Sequence, residues 1–264
     1  LIIAVVFVIS ELVCVVCVPE RPVACDEKPG KISDMFKALF KNDQAMTVVV
    51  SIILVYTSLN ICGNLVLYFF RFDVGNEGAY SIFAAVAFAA QVLVMMVIPL
   101  LRKRFSKSQL FISGFIIQIS GFAVILIMAF AKLYTPQSWY ILCLPGILIY
   151  LGYGMLNVIM TIFLSDSVDY GEVMNGTREE SVIFSMQTFT VKLASGVAVF
   201  LAGLVVDWIH LDTAAAVQTQ DTLDALRMWM TIPSVILLIV GIFVFKRFYK
   251  LDDTRMEEIK SKLN

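Results

Sequence analysis

The residue with the greatest potential for chemistry in this sequence is a lone lysine inside a long apolar segment. Lys192 is the single charged residue between positions 181 and 206. That segment is long enough to cross a bilayer, because ~20 helical residues span the hydrocarbon. A lysine at the centre of a spanning helix costs about 2.5–3.5 kcal/mol on insertion scales. We therefore expect its ammonium group to have a carboxylate partner, a water-filled cavity, or surroundings in which it gives up its proton.

The neighbours of Lys192 favour the cavity. Hydroxyl residues recur at spacings of three and four on the same helical face, namely Ser181, Ser185, Thr188 and Ser195. Close packing between helices, which small residues permit, would explain the hydroxyl groups but not the lysine. Ionisable residues inside a membrane usually mark a pathway or a site. A row of small residues on another face predicts a packing contact; it consists of Ala194, Ala198 and Ala202.

Two further apolar segments carry polar stripes. The first has Tyr56, Asn60 and Asn64 at four-residue intervals. The second comprises Tyr150, Tyr153, Asn157 and Thr161. Interhelical hydrogen bonds would explain either stripe alone. Three helices that each present a polar face predict a shared aqueous cavity.

The elements that position these stripes are transmembrane helices. The 264 residues are 59% hydrophobic and only 16% charged, against about 25% charged in soluble domains, so we predict an all-α, multi-pass membrane protein. Hydropathy gives seven apolar segments, at 1–18, 47–70, 79–101, 108–131, 139–164, 181–206 and 228–247. Because residues 1–18 begin without Met or a basic flank, we interpret them as the end of a spanning helix that starts upstream. The chain is then a fragment.

Basic residues predict the orientation of the chain. Segment 19–46 is a polar linker whose residues 32–41 have the spacing of an amphipathic, interfacial helix. Fifteen Lys and Arg lie in this linker, in the third connection (residues 102–107), and at the end of the last segment with the tail at 249–264. The alternate loops hold only Arg71, Lys132 and Arg227. By the positive-inside rule, we expect the linker and the C-terminus to be cytoplasmic. We also expect the membrane to be the plasma membrane.

The connection at 165–180 is rich in acidic residues. Asp166, Asp169 and Glu172 are spaced three apart, and Arg178 is the one base in the connection. Gly171 offers a break in helical structure here. One interpretation is a solvated loop. The other is a charge network that pairs with basic residues on another part of the protein and breaks as the protein moves.

These residues carry a family resemblance. The run Asp166-Ser-Val-Asp169-Tyr170-Gly171-Glu172, followed by Arg178-Glu179-Glu180-Ser181, Ser185, Gln187-Thr188 and Lys192, resembles the junction before helix 11 of the glycoside–pentoside–hexuronide:cation symporters. The run from Arg227 to Asp252 resembles that family's last helix and tail. Asn157 departs from the pattern, because melibiose-type members carry a sugar-stacking aromatic there.

The resemblance implies a major facilitator fold, with two six-helix bundles around a central cavity. Residues 47–248 would form the C-terminal bundle, and residues 1–18 the end of helix 6. Lys192 would face the cavity near the sugar and the cation, with Gln187 and Thr188 beside it. Asp166, Asp169, Glu172 and Arg178 would match the cytoplasmic charge cluster that latches the bundles together. The N-terminal bundle would supply the main ligands for the sugar and for a coupling Na+ or H+, and no other cofactor or metal is expected.

The leading hypothesis is therefore cation-coupled transport of a sugar, glycoside, pentoside or hexuronide. Transport of a lipid or another amphiphile on the same fold is the alternative. An enzyme is disfavoured because the chain has one His and no HExxH or GxSxG motif. The chain has no repeated pore-lining motif of the kind that a channel has. It also has no Gly-rich phosphate loop typical of an ATP-driven pump, and no basic patch with interleaved aromatics that would favour nucleic-acid binding.

Overall fold

Long apolar helices make up the architecture, which was analysed in a computed structural model. The structure describes residues 2–17, 40–176, 180–215 and 217–263, and every regular element within them is helical. Residues 1–35 and 36–264 form two separate units. The first contains helix α1 (Ile2–Cys17), whose 16 residues include many exposed apolar side chains. The predicted amphipathic helix at 32–41 lies almost wholly outside the described residues.

The second unit is a bundle of six helices, each long and apolar enough to cross a membrane. They are α2 (Asp43–Tyr68), α3 (Ala79–Leu101), α4 (Lys107–Phe130), α5 (Cys143–Asn175), α6 (Glu180–Trp208) and α7 (Gln220–Phe248). A π-helical turn (Phe69–Asp73) extends α2, and a 3-10 turn (Trp139–Leu142) precedes α5. This bundle confirms the predicted all-α fold of six spanning helices.

The acidic connection is mostly helix rather than loop. Helix α5 runs 33 residues to Asn175, or roughly 50 Å at 1.5 Å per residue, which exceeds the ~30 Å hydrocarbon layer. Its break is not at Gly171, which is helical and where an added Cβ would lie 2.8 Å from the amide nitrogen of Asn42. The helix ends instead at Gly176, whose φ of +73° is the left-handed conformation that favours glycine. Hydropathy located the apolar part of α5 but not its polar end.

The C-terminal tail is also helical. Helix α8 (Asp253–Leu263) packs Met256 and Ile259 against Tyr170 and Val173 of α5. Leu251, two residues before α8, is buried in the same cluster. The prolonged end of α5 therefore serves as the platform on which the tail packs.

Glycines let α4 and α5 approach closely. A Cβ placed on Gly152 of α5 would lie 2.6 Å from the backbone oxygen of Gly114 and 2.6 Å from the backbone nitrogen of Gln118 on α4. Such distances are below any van der Waals contact, and backbone atoms cannot rotate away. Gly152 is thus required by the packing of the bundle.

We predict that Gly152→Ala destabilises the bundle by about 1–3 kcal/mol, the usual cost of overpacking. The measurement is the thermal unfolding midpoint of the chain purified in detergent. The control is Gly203→Ala on α6, where a Cβ meets no atom within 4 Å. Equal midpoints for the two variants would contradict the close α4–α5 contact.

Candidate functional site

The polar stripes of α2 and α5 meet in the bundle. The side-chain amide nitrogen of Asn157 donates a hydrogen bond to the hydroxyl of Tyr56 at 2.5 Å. The ring of Tyr56 packs edge-on against Tyr153, with ring centres 5.4 Å apart, and Tyr153 in turn contacts Tyr150. The departure at Asn157 therefore has a structural consequence, because its amide donates to Tyr56 and so links α5 to α2.

The stripe of α6 bonds to both of the others. Ser195 donates to the side-chain oxygen of Asn60 on α2 at 3.3 Å. Gln187 donates to the hydroxyl of Thr161 on α5 at 3.2 Å. One polar surface thus runs across three helices, which we call the α2–α5–α6 face. We define it by the residues Tyr56, Asn60, Asn64, Tyr150, Tyr153, Asn157, Thr161, Ser185, Gln187, Thr188, Lys192 and Ser195.

Along α2, the asparagines bond back to their own helix. Asn60 donates to the backbone oxygen of Tyr56, and Asn64 donates to that of Asn60, each at 2.7 Å. These bonds hold the amide groups in fixed rotamers. Each bond uses one proton of the side-chain nitrogen, so the amide oxygen stays available as an acceptor. At Asn60 this oxygen accepts the hydrogen bond from Ser195.

Lys192 lies on the open part of this face. Its side chain is exposed, as are those of Thr188 and Ser185, which lie one and two turns away. No carboxylate among the described residues forms an ion pair with it. The first of the three expected surroundings for the ammonium group, a carboxylate partner, is therefore not observed among the described residues. The small-residue row behaves as predicted, since Ala194, Ala198 and Ala202 are buried.

A cavity of about 550 Å³ continues the face toward the far end of α6. Asn64 and Tyr68 line it on α2, and Gly203 and Asp207 line it on α6. Asp207 is exposed at this rim, and the sequence reasoning missed it. The sequence feature that could have indicated Asp207 is its position, as a single acidic residue directly after the predicted segment 181–206.

The acidic stretch contributes to a charge network within the bundle. Asp166 forms a buried ion pair with Lys107 of α4, and Lys107 also lies 3.4 Å from Asp253 of α8. Arg102 reaches Asp253 at 3.5 Å. The buried hydroxyl of Tyr249 lies near these carboxylates, and its burial, together with the charges of Asp166 and Asp253, raises its pKa. Arg178 lies outside the described residues.

A second buried ion pair at the opposite end of the bundle was missed. Arg227 binds Asp73 through two bonds, from Nε at 2.8 Å and from Nη2 at 2.5 Å, with both side chains at most 4% exposed. Arg227 also bonds to Asp224 at 2.7 Å. Tyr134 donates to Asp73 at 2.5 Å, and burial and that carboxylate raise the pKa of Tyr134. Arg227 falls in a predicted loop, just before segment 228–247, whereas α7 already begins at Gln220.

Comparison with known proteins identifies the family. The family model described as MFS/sugar transport protein matches residues 1–253. The chain belongs to the MFS/sugar transport protein family. It is 25% identical to an uncharacterized symporter of Bacillus subtilis, over 88% of this chain and 49% of that protein. The match to the raffinose carrier protein of Pediococcus pentosaceus is 23% identical, over 88% of this chain and 35% of the carrier.

A third relative has the same extent. The isoprimeverose transporter of Lactiplantibacillus pentosus is 25% identical, over 86% of this chain and 46% of that transporter. The chain therefore spans half or less of the length of these curated relatives. The resemblance to the glycoside–pentoside–hexuronide:cation symporters is confirmed, and six helices of the described residues are long and apolar enough to cross a membrane.

We predict that Arg227→Met destabilises the bundle by about 3–5 kcal/mol, because it leaves the Asp73 carboxylate buried without its cation. The double variant Asp73→Asn/Arg227→Met should recover part of this loss, since Asn keeps an oxygen that accepts from Tyr134. Unfolding in mixed micelles provides the measurement.

The control for this prediction is Arg71→Gln. Arg71 lies 3.7 Å from Glu77 in an exposed pair, and such pairs contribute about 0–1 kcal/mol. A loss at Arg71 as large as that at Arg227 would contradict the role assigned to the buried pair.

Proposed function

We propose that this chain is the C-terminal six-helix half of a secondary transporter that carries a sugar, glycoside, pentoside or hexuronide together with Na+ or H+. Transport proceeds by alternating access, in which this bundle rocks against an N-terminal bundle. The single observation that carries the proposal is the α2–α5–α6 face. It is a polar surface across three apolar helices, with an exposed lysine in its midst.

The groups on this face suit a polyhydroxy ligand. Sugar hydroxyls both donate and accept hydrogen bonds, and binding sites fix such ligands with a few placed polar groups beside aromatic surface. The hydroxyl of Tyr56 and the amides of Asn157 and Gln187 supply both hydrogen-bond donors and acceptors. The printed names of the raffinose carrier and the isoprimeverose transporter indicate sugar ligands for those relatives, which supports the same ligand class here.

Lys192 supplies the positive charge of the proposed cavity. An exposed ammonium group at mid-span is expensive in lipid, so we infer that it faces water and carboxylates from the N-terminal bundle. Those carboxylates would bind the sugar and the coupling cation. The greater length of the relatives leaves room for such a bundle, since this chain covers 35–49% of the three described above.

The charge network divides into two roles under this proposal. Asp166 is held by Lys107 inside the bundle and stabilises the α4–α5 end. Asp169, Glu172 and Arg178 would form the part that latches the two bundles on the cytoplasmic side. The α8 end of the bundle and residues 19–46 would face the cytoplasm of a cell whose plasma membrane contains the transporter.

We predict that Lys192→Ala abolishes cation-coupled sugar uptake in the full-length transporter, because the cavity loses its positive charge. Uptake of labelled sugar into proteoliposomes under a sodium or proton gradient provides the measurement. Lys246→Ala, at the end of α7, is the control because it removes the same charge outside the face. Near wild-type uptake by the Lys192 variant, at equal protein incorporation, would contradict the role.

The ligand class has its own test. A nitrophenyl glycoside should bind the purified transporter and be displaced by free sugar, and Asn157→Ala should weaken this binding roughly tenfold by removing a polar contact worth about 1.4 kcal/mol. Displacement by a lysolipid but not by sugar would instead indicate the alternative, transport of an amphiphile.

A further inference from the structure

The turn between α3 and α4 forms one wall of a polar cavity at the α8 end of the bundle. The cavity has a volume of about 470 Å³. Basic residues dominate its lining, and α8 closes the other side with Asp253, Met256, Glu257 and Lys260. Residues 102–107 supply the remainder of the lining. Arg102, Lys107 and Asp253 of the charge network line this cavity, but its other charged residues belong neither to that network nor to the α2–α5–α6 face.

The basic residues that line the cavity divide into paired and unpaired groups. Arg102 and Lys107 are engaged, with Asp253 and with Asp166 respectively. Lys103, Arg104 and Lys260 are exposed, and none of them has an ion pair with another described residue. Glu257 is the one acid of the lining without such a pair. The cavity therefore carries a net positive charge that the bundle itself does not neutralise.

A neighbouring cavity on the other side of α8 shows that this excess is local. That cavity has a volume of about 490 Å³, close to the first. Its charged lining is balanced, because Lys250 and Arg255 are matched by Asp252 and Glu258. An unmatched positive charge is thus a property of the α3–α4 turn rather than of this whole end of the protein.

The position of the turn selects a membrane component as the ligand. It joins two helices that are long and apolar enough to span the bilayer, so it lies at the level of the lipid headgroups. Helix α3 exposes Leu93, Met96 and Leu100, which are 62%, 70% and 62% accessible, at helical spacing that leads up to the turn. Phe105 is exposed at the turn itself. A phospholipid can place its acyl chains along this apolar row while its phosphate enters the basic cavity.

We propose that the cavity binds the phosphate headgroup of an anionic phospholipid, with Lys103, Arg104 and Lys260 as its contacts. Arg presents parallel N–H donors to phosphate oxygens, and Lys adds point charge. Basic pockets on the cytoplasmic side of membrane helices are suited to anionic headgroups. The bound lipid would also bridge the α3–α4 turn and α8, since its contacts come from both.

The test uses the whole chain purified in detergent and titrated with phosphatidylglycerol or phosphatidylcholine of the same acyl chains. Native mass spectrometry measures the bound lipid. We expect phosphatidylglycerol to bind at least tenfold more tightly than phosphatidylcholine. The triple variant Lys103→Gln/Arg104→Gln/Lys260→Gln should weaken phosphatidylglycerol binding roughly 100-fold, at about 1 kcal/mol for each basic residue.

A matched control removes the same charge at the same end of the bundle. The variant Lys246→Gln/Lys250→Gln/Arg255→Gln should retain phosphatidylglycerol binding within about threefold of the wild type. Equal losses in the two triple variants would overturn the site, because binding would then follow net charge alone. If the first triple variant does not fold, the single variant Arg104→Gln serves, with an expected loss of roughly fivefold.

A competition arm separates the lipid from a free anion. Inorganic phosphate at millimolar concentration should displace little phosphatidylglycerol, because it lacks the apolar contacts along α3. Full displacement by phosphate, or equal binding of the two lipids, would overturn the proposal. Replacing Met96 and Leu100 by Ser should weaken phosphatidylglycerol binding, and unchanged binding in that variant would also count against it.

Discussion

The bundle is governed by one constraint, which is that hydrocarbon offers no hydrogen-bond partners to polar groups. A polar side chain in a spanning helix must therefore find its partner within the protein or in a water-filled space. Two sets of described residues meet this constraint. Charged groups at the two ends of the bundle are buried as ion pairs, Asp166 with Lys107 and Asp73 with Arg227. Neutral polar groups between the ends form the hydrogen-bonded α2–α5–α6 face.

The two ion pairs link elements that are far apart in the sequence. Asp73 and Arg227 are separated by 154 residues and join the end of α2 to α7. Lys107 and Asp166 join α4 to α5, and the further contact of Lys107 with Asp253 ties α8 to the same point. Ion pairs of this kind fix the pairing of helix ends, because a misaligned helix would leave a charge buried alone. The polar face between them is thereby held at a defined position.

The sequence predicted the polar face better than the ion pairs, for a physical reason. Helical periodicity is a local property, so the stripes containing Asn60, Asn157 and Lys192 could be read from spacing, and the six apolar segments from hydropathy. Ion pairing depends on which helix ends meet, and neither spacing nor hydropathy contains that information. The prolonged α5 shows the same limit. Its polar end is helical because Asp166 bonds to Lys107 and because Asn42 donates to the backbone oxygen of Ser167, contacts made by distant residues. The proposed roles of Lys192 and of its neighbours as sugar and cation contacts stay predictions.

Two kinds of charged residue occur in the described helices of this bundle: those that are paired and stabilise the fold, and those that, like Lys192, form no ion pair there and are better explained by a function. Arg227 and Lys107 each sit deep among side chains and are neutralised there, so their charges contribute to folding. Lys192 is exposed on the face that also exposes Thr188 and Ser185, and it has no such partner among the described residues. A bundle under pressure only to be stable would not retain an unneutralised cation at mid-span, since a Leu or Met there would remove a cost of about 2.5–3.5 kcal/mol. The charge is therefore best explained by what it faces, which must be water, an anion, or both.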